Sequence, residues 1–568
     1  MNHHIRASGD LISEKERENG LFSEAILHQL REDESLGCGN ILDRIMSLEV
    51  CKERPLIFLD RPLISPGGEY TESLSLTTLQ QYRRFLAQWY LQHGVKKGDV
   101  VSVCIEDGIT PFLHYLALTS LGATISLINP GMPSDLGIQY MNDNGFQNLV
   151  TDSETSKKSP FVQQWQLSNK TLNISMADFN QVISLPESWP LEPEDSTLVM
   201  LSHSSGTTSV PKAVRFEHRQ FFMGKRVRIG RFAEGPDERL LTALPQSHSS
   251  AISHLETAIL HGIPTYVVGS QDGDALRRAI HLFSPTTVAA FPRSYMTLIE
   301  AGINDAEFST VRRWLSMGDA SHQSHIRRLL QGAPKSRYMD SFGSSELGMA
   351  LFRNESRIDA LAPHRSIGRP VDIAVAKILD VETGEEVQPG TPGLFAVRSP
   401  TITSGYWQQP ERTSKAWRNG YFITGDIALC KNGVFYQIDR EVDVVRTTSG
   451  NLYTLFLEEV AQQVDGVCDA VVVGVAERTA SDPEILVLIL ADREATTEPD
   501  MLSHRVTERI CESMVNLGPF LARHAIASIV VDSLAFLPVG ATGKILKREL
   551  RHSALSLIKR NANRKLMS

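Results

Sequence analysis

The sequence predicts an α/β protein: a large N-terminal domain with parallel-rich sheets flanked by helices, followed by a small C-terminal α+β domain. Three observations carry that expectation. Helical and β-branched stretches alternate through the first half of the chain. A charged stretch, Asp439-Arg440-Glu441-Val442-Asp443, separates a β-rich segment from a compact unit of different pattern. The 568 residues also exceed what one hydrophobic core usually organises.

The elements follow in order. From Thr77 to His93, Leu79, Tyr82, Phe85, Leu86, Trp89 and Tyr90 recur at helical spacing, and Gly94 supplies the stop. The run Val100 to Ile105 reads as a strand, Pro111 to Leu121 as a helix and Thr124 to Ile128 as a second strand, so the two strands pair in parallel. Thr265 to Val268, Asp274 to Leu282 and Thr286 to Ala290 repeat that order. Beyond the charged stretch, strands are expected at Ala470 to Val475, Ile485 to Ala491 and Ser528 to Val531. Helices are expected near Leu502 to Met514 and from Lys544 to Leu557. The resulting division is a polar segment 1–22, a large domain 23–438, a hinge 439–443 and a small domain 444–568.

Composition narrows the function. A net charge of -9 with 42% hydrophobic and 22% charged residues argues against a general nucleic-acid or membrane-surface binder and leaves a small molecule as the expected ligand. Six cysteines lie scattered without a CxxC pair, as in a reduced chain rather than a disulfide framework or zinc site. No apolar run reaches membrane-spanning length and the amino terminus lacks a secretory pattern, so the expected location is the cytoplasm.

Four short segments carry chemistry. Ser204-Ser205-Gly206-Thr207-Thr208-Ser209-Val210-Pro211-Lys212 follows an apolar run. Gly206 permits close backbone approach to a phosphate, Thr207 and Thr208 offer donors beside Ser205, and Lys212 offers a cation. In Asp340-Ser341-Phe342-Gly343-Ser344-Ser345-Glu346, an aromatic ring can stack on a base, Ser345 can meet a phosphate and Glu346 can hold a hard cation such as Mg²⁺. Thr424-Gly425-Asp426 places a carboxylate where it can accept ribose hydroxyls. Pro538 to Lys544 presents an ammonium just before a helix, suited to charge developing on a reacting carboxylate and phosphate. Each segment alone is an ordinary turn or loop; their order is the signal. The last is not a Walker A loop, because Pro538 and Ile545 stand where Gly and Ser/Thr are required. No GxSxG or dinucleotide GxGxxG is present.

Together these segments resemble the adenylate-forming superfamily: acyl-CoA synthetases, adenylation domains of peptide synthetases and beetle luciferases. The first resembles SGTTGxPKG with Ser209 and Ala213 in place of two glycines; the second resembles YGxTE with Phe342 and Ser345 substituted. TGD is intact, and Ala541 to Leu550 looks most like acyl-CoA synthetases. The resemblance implies a mobile small domain and a ligase that uses ATP and Mg²⁺ to convert a carboxylic acid to acyl-AMP, then passes it to a thiol. Coenzyme A is the expected thiol, because the C-terminal sequence looks synthetase-like and no carrier domain follows in this chain. A carrier protein, an amine acceptor, or a catalytically silent nucleotide- or acyl-binding regulator are the alternatives. It also implies roles. Lys544 bridges acid and α-phosphate, Glu346 holds the metal, Asp426 and Arg440 fix ribose, and Asp340 and Phe342 belong to the nucleotide site. His248, Gly318, Asp319 and Gly450 border the acyl and thiol tunnel, with Ser345 and His248 acting in catalysis.

Overall fold

The computed structural model describes residues 21–554 apart from 66–67, 107, 175–183, 205–210, 304–307, 448–449, 476–483, 492–497, 518–525, 532–536, 539–544 and 552–553. The predicted alternation is present. Leu76–Gln92 is a helix that buries Leu79, Tyr82, Phe85, Leu86, Trp89 and Tyr90, the residues whose spacing announced it. Its N-cap, Ser75, accepts the amide of Thr78. Val100–Val103 and Thr124–Leu127 pair in parallel across the helix Thr110–Ser120, within a six-stranded sheet that is parallel except at its last strand, Ala213–Glu217. These strands are buried on both faces by helices, which is why they read as continuous apolar runs rather than alternating ones.

The second sheet is larger and mixed, with fourteen strands. Its parallel half includes Leu240–Thr242, Thr287–Ala290, β1 (Arg313–Met317) and β2 (Arg337–Gly343). From β3 (Ala350–Ser356) onward the partners run antiparallel, through Ser366–Pro370 to β4 (Tyr421–Lys431) and β5 (Val434–Arg440). The sequence pattern conveyed this half only as β-rich, because its order comes from long-range pairing. Two helices cover the start of the site: α1 (His218–Arg228), and α2 (Ser249–His261), which begins at the N-cap His248 and stops at Gly262 in the left-handed region, φ 67°.

The chain leaves the large sheet at Arg440, turns through 441–443 and enters the hairpin Val445–Thr447 and Gly450–Leu452. The small domain then packs α3 (Thr454–Ala461) and the helix Pro499–Leu517 on a three-stranded sheet of Val467–Val475, Glu484–Ala491 and Ile526–Val531. A core of Leu457, Val472, Val487, Leu502, Val506 and Ile510 holds this layer together. The α/β class with a smaller C-terminal domain is therefore as expected from sequence.

The segment 439–443 is fastened at both ends. Asp439, fully buried at the end of β5, accepts hydrogen bonds from the amide and hydroxyl of Thr454 on α3. Burial, opposed by the Lys547 ammonium, pushes the Asp439 carboxyl up to about 6. Asp443 pairs with Arg551 at 2.7 Å, and Lys547 with Glu458 at 2.7 Å.

Candidate active site

The site gathers where β1 and β2 end. The phosphate-loop residues Ser205, Gly206, Thr207 and Thr208, with Ser209, lie outside the described residues, as does Lys544. The stem of that loop is closed by its flanks: the Ser204 amide donates to the Lys212 carbonyl at 2.9 Å, and the Lys212 amide donates to Ser204 Oγ at 3.0 Å. The Lys212 ammonium lies 4.9 Å from the ring centroid of Tyr406. Burial lowers its pKa against the raising charge of Glu346, with Arg412 and Arg440 adding to the decrease. Tyr406 in turn donates its hydroxyl to Glu346 Oε1 at 3.2 Å, which orients the carboxylate. Ser345 is buried beside it, and its carbonyl accepts from the Gly348 amide at 3.1 Å.

Asp426 and Arg440 stand opposite each other on the antiparallel pair β4 and β5 and form an ion pair, Arg440 Nε to Asp426 Oδ1 at 3.0 Å. Gln437 Nε2 donates to the same oxygen at 2.9 Å, so Oδ2 takes no hydrogen bond from the described residues. The charge of Asp426, against the cost of burial and joined by Asp319 and Glu346, raises the Arg440 pKa further. Asp319 is exposed and accepts the Ala320 amide. It therefore belongs to the Arg440 side of the site and is absent from the cavity wall. Asp340 accepts from Ser321 Oγ at 3.2 Å, and burial pushes its carboxyl up to about 6. The Phe342 ring packs at 6.0 Å from Phe352 and 5.6 Å from Phe395, on the face of β2 away from the cavity.

A cavity of about 360 Å³ opens beside this constellation. Alternate residues of two parallel strands form its floor: Leu315 and Met317 on β1, Met339, Ser341 and Gly343 on β2. His248 and Gly318 sit on its wall. Gly318 has φ 89° and its missing side chain leaves room for Phe291, whose Cε1 would lie 2.6 Å from a Cβ there. Phe291 meets the His248 ring edge-on at 5.2 Å. The Ser250 amide donates to His248 Nδ1 at 3.2 Å, so Nδ1 acts as acceptor and Nε2 carries the proton of the neutral ring. Gly450 is exposed on the small-domain hairpin with φ 133°, away from this wall.

The structure thus brings Lys212, Glu346, Asp426 and Arg440 to one edge of the large sheet and His248 and Gly318 to the adjoining cavity. Sequence reading missed Tyr406 and Gln437, since a tyrosine after glycine and a glutamine in a strand carry no signal until pairing places them. The large and small domains touch through Glu459 of α3. It accepts from His322 at 3.0 Å, from His364 at 2.8 Å and from the Gln323 amide at 3.1 Å.

The chain is thus a two-domain α/β protein in which a carboxylate–arginine pair, a lysine and a glutamate stand beside one cavity. The family can be stated: residues 57–407 match the AMP-binding enzyme model, and the chain belongs to that family. It is 30% identical to a 3-aminoavenalumate diazotase of Streptomyces sp over 91% of this chain and 96% of that protein. A 3-hydroxybenzoate–CoA ligase of Aromatoleum sp. (strain CIB) is 27% identical over 91% and 98%. A solved benzoate CoA ligase from Burkholderia xenovorans LB400 shares the fold, with TM-score 0.77, 17% identity and coverage of 91% and 100%. The chain is accordingly an adenylate-forming enzyme of acyl-CoA-synthetase-like kind. Among the described residues no helix is long and apolar enough to cross a membrane.

Proposed function

We propose that this enzyme adenylates a carboxylic acid with ATP and Mg²⁺ and transfers the acyl group to the thiol of coenzyme A. The observation that carries this reading is the junction of two sites: Glu346, Tyr406, Lys212, Asp426 and Arg440 cluster beside a cavity walled by His248 and Gly318, whose lining reaches Ser344, two residues before Glu346. Asp426 is placed to accept ribose hydroxyls through Oδ2 while Gln437 and Arg440 hold Oδ1. Glu346 and Ser345 offer hard oxygen donors, the kind Mg²⁺ takes together with phosphates and water. Among the described residues no group of three His, Cys, Asp or Glu could hold a metal ion by itself, which suits an ion held largely by its nucleotide. Bound with ATP, the ion neutralises charge on the phosphates.

The substrate carboxylate attacks the α-phosphorus, the bond to the β-phosphate oxygen breaks and pyrophosphate leaves; a thiolate then attacks the acyl carbon and AMP departs. Lys212 and Lys544 supply positive charge where phosphate charge develops, Lys544 from the small domain as it closes. The hinge is proposed at 439–443, and Gly450 on the face presented for the second step. An acid screen by pyrophosphate release, with and without coenzyme A, tests the reading. AMP and acyl-CoA in equal amounts are expected; acyl-AMP left untouched by coenzyme A but consumed by a carrier protein rejects the thiol assignment.

A second reading is favoured by the Streptomyces relative, whose name is that of a diazotase acting on 3-aminoavenalumate. Diazotisation adds a nitrogen to an amine, so the activated oxyacid is nitrous acid and the acceptor an arylamine. Nitrite-dependent pyrophosphate release that accelerates with an aminoaryl acid and ignores coenzyme A selects this alternative.

A further inference from the structure

The cavity contains charge that no carboxylate among the described residues neutralises. Arg228, at the end of α1, is buried, and among the described residues its guanidinium reaches only two hydroxyls, Ser253 at 3.3 Å and Thr257 at 3.4 Å. Arg353 on β3 also lines the cavity, and its guanidinium makes no hydrogen bond or ion pair with any described residue. The other arginines here are matched: Arg313 pairs with Glu234 at 2.7 Å and Glu238 at 3.5 Å, Arg231 with Asp372 at 3.6 Å. Burial lowers both Arg228, to about 9, and Arg353, and neighbouring arginines add to the effect; no carboxylate offsets it. The adjacent His254 donates its Nδ1–H to the Ser250 carbonyl at 2.7 Å, and burial lowers its pKa to about 3, so it stays neutral. Two unpaired guanidinium groups inside one apolar-walled cavity are costly unless an anion arrives.

The register separates two levels along the strands. Arg353 stands opposite Ser341, whereas Ala350 stands opposite Gly343, the residue from which the loop to Glu346 departs. Two residues of strand separate these levels, about 7 Å at roughly 3.3 Å per residue. A carboxylate placed for adenylation at the Glu346 edge therefore does not occupy the Arg353 level. We propose that Arg228 and Arg353 bind a second carboxylate of the substrate, so that the acid activated by this enzyme is a compact dicarboxylic acid whose distal group sits deep in the cavity. Phe232, Leu315, Met317, Met339 and Met349 line the space between with apolar surface, suited to an aromatic ring or short hydrocarbon spacer. This inference rests on the ligase reading for the position of the reacting carboxylate.

The test separates binding from turnover. Matched pairs, benzoate with isophthalate and butyrate with glutarate, are compared by thermal shift without nucleotide and by pyrophosphate release with MgATP, in wild type, Arg353→Met and Arg353→Lys. A diacid is expected to raise the wild-type melting temperature where its monoacid does not, and to be used with a kcat/KM at least about tenfold higher, the usual effect of a charge-assisted hydrogen bond. Arg353→Met removes both preferences without lowering the melting temperature of the free protein, and Arg353→Lys restores part of them. Arg228→Met gives the same loss independently. Equal stabilisation by mono- and diacids in wild type, or a diacid preference that survives both methionine variants, overturns the inference. Diacid stabilisation without pyrophosphate release from any acid leaves the distal site standing and rejects the ligase reading instead.

Discussion

Lys225 and Arg228 lie one helical turn apart on α1 and face the same helix, α2, yet their charges are treated in opposite ways. Lys225 is wholly buried and meets Glu256 at 3.0 Å; Tyr115 donates to the other oxygen of Glu256 at 2.8 Å, and the Lys225 ammonium also touches Cys38 Sγ at 3.3 Å. Burial pushes the Cys38 thiol up, with Glu256 adding to it, so the sulfur remains a neutral neighbour. Arg228 meets instead Ser253 and Thr257, which flank Glu256 on α2 at three residues before and one after. A closed ion pair inside the core settles its charge within the chain and holds helices together. A guanidinium met only by hydroxyls on a cavity wall leaves its charge for a ligand. The contrast separates structural from functional burial of charge without reference to any relative.

The widest break in that comparison comes from Glu256→Gln. It strands the Lys225 ammonium, and a loss of about 3–5 kcal/mol is expected in urea denaturation. Arg228→Met, one turn on, should be neutral or stabilise the unliganded protein by about 1 kcal/mol, because it abandons two long hydrogen bonds to hydroxyls but no counter-charge. A comparable loss in both variants would mean that Arg228 also has a structural counter-charge. Glu346→Gln sharpens the functional side. Activity with MgATP should fall by about a hundredfold or more, roughly 3 kcal/mol of transition-state stabilisation, while the urea midpoint stays near wild type. Unchanged magnesium dependence would place the metal elsewhere. Lys544→Ala should slow adenylation by about a hundredfold and largely spare thioester formation from supplied acyl-AMP, as single-turnover measurements of each step would reveal.

The smallest effect concerns charge shared between domains. Burial opposes protonation of His322, but the hydrogen bond and charge of Glu459 outweigh it and raise the imidazole above its ordinary 6.5. Burial likewise opposes ionisation of Glu459, and the hydrogen bonds from His322 and His364 outweigh it and hold the carboxyl well below its ordinary 4.5. The histidine contribution is therefore complete below pH 6.5 and lost as pH rises through its raised value. The glutamate contribution is complete above pH 4.5 and lost as pH falls through its lowered value. Between these limits the contact is strongest. The stability difference between wild type and His322→Gln should shrink by on the order of 1 kcal/mol from pH 6 to pH 8.5. A difference independent of pH would show that His322 is neutral against Glu459 throughout.

Local order along the chain was enough to determine the fold class and to single out several residues that the fold then brings together. Helical spacing located Leu76–Gln92 because a helix needs one apolar face, and β-branched runs located the parallel strands because both of their faces are covered. Glu346, Asp426 and Arg440 were legible because each belongs to a short motif whose members are neighbours in sequence. Tyr406 and Gln437 were not, since only the closing of the large sheet brings them to Glu346 and Asp426. The cavity beside them depended still more on tertiary structure. Nothing in the composition distinguishes Lys225 from Arg228, or Arg313 from Arg353, because the meaning of a buried charge is set by its partner. That partner stands on another helix or strand, tens of residues away, where only the fold can supply it or withhold it.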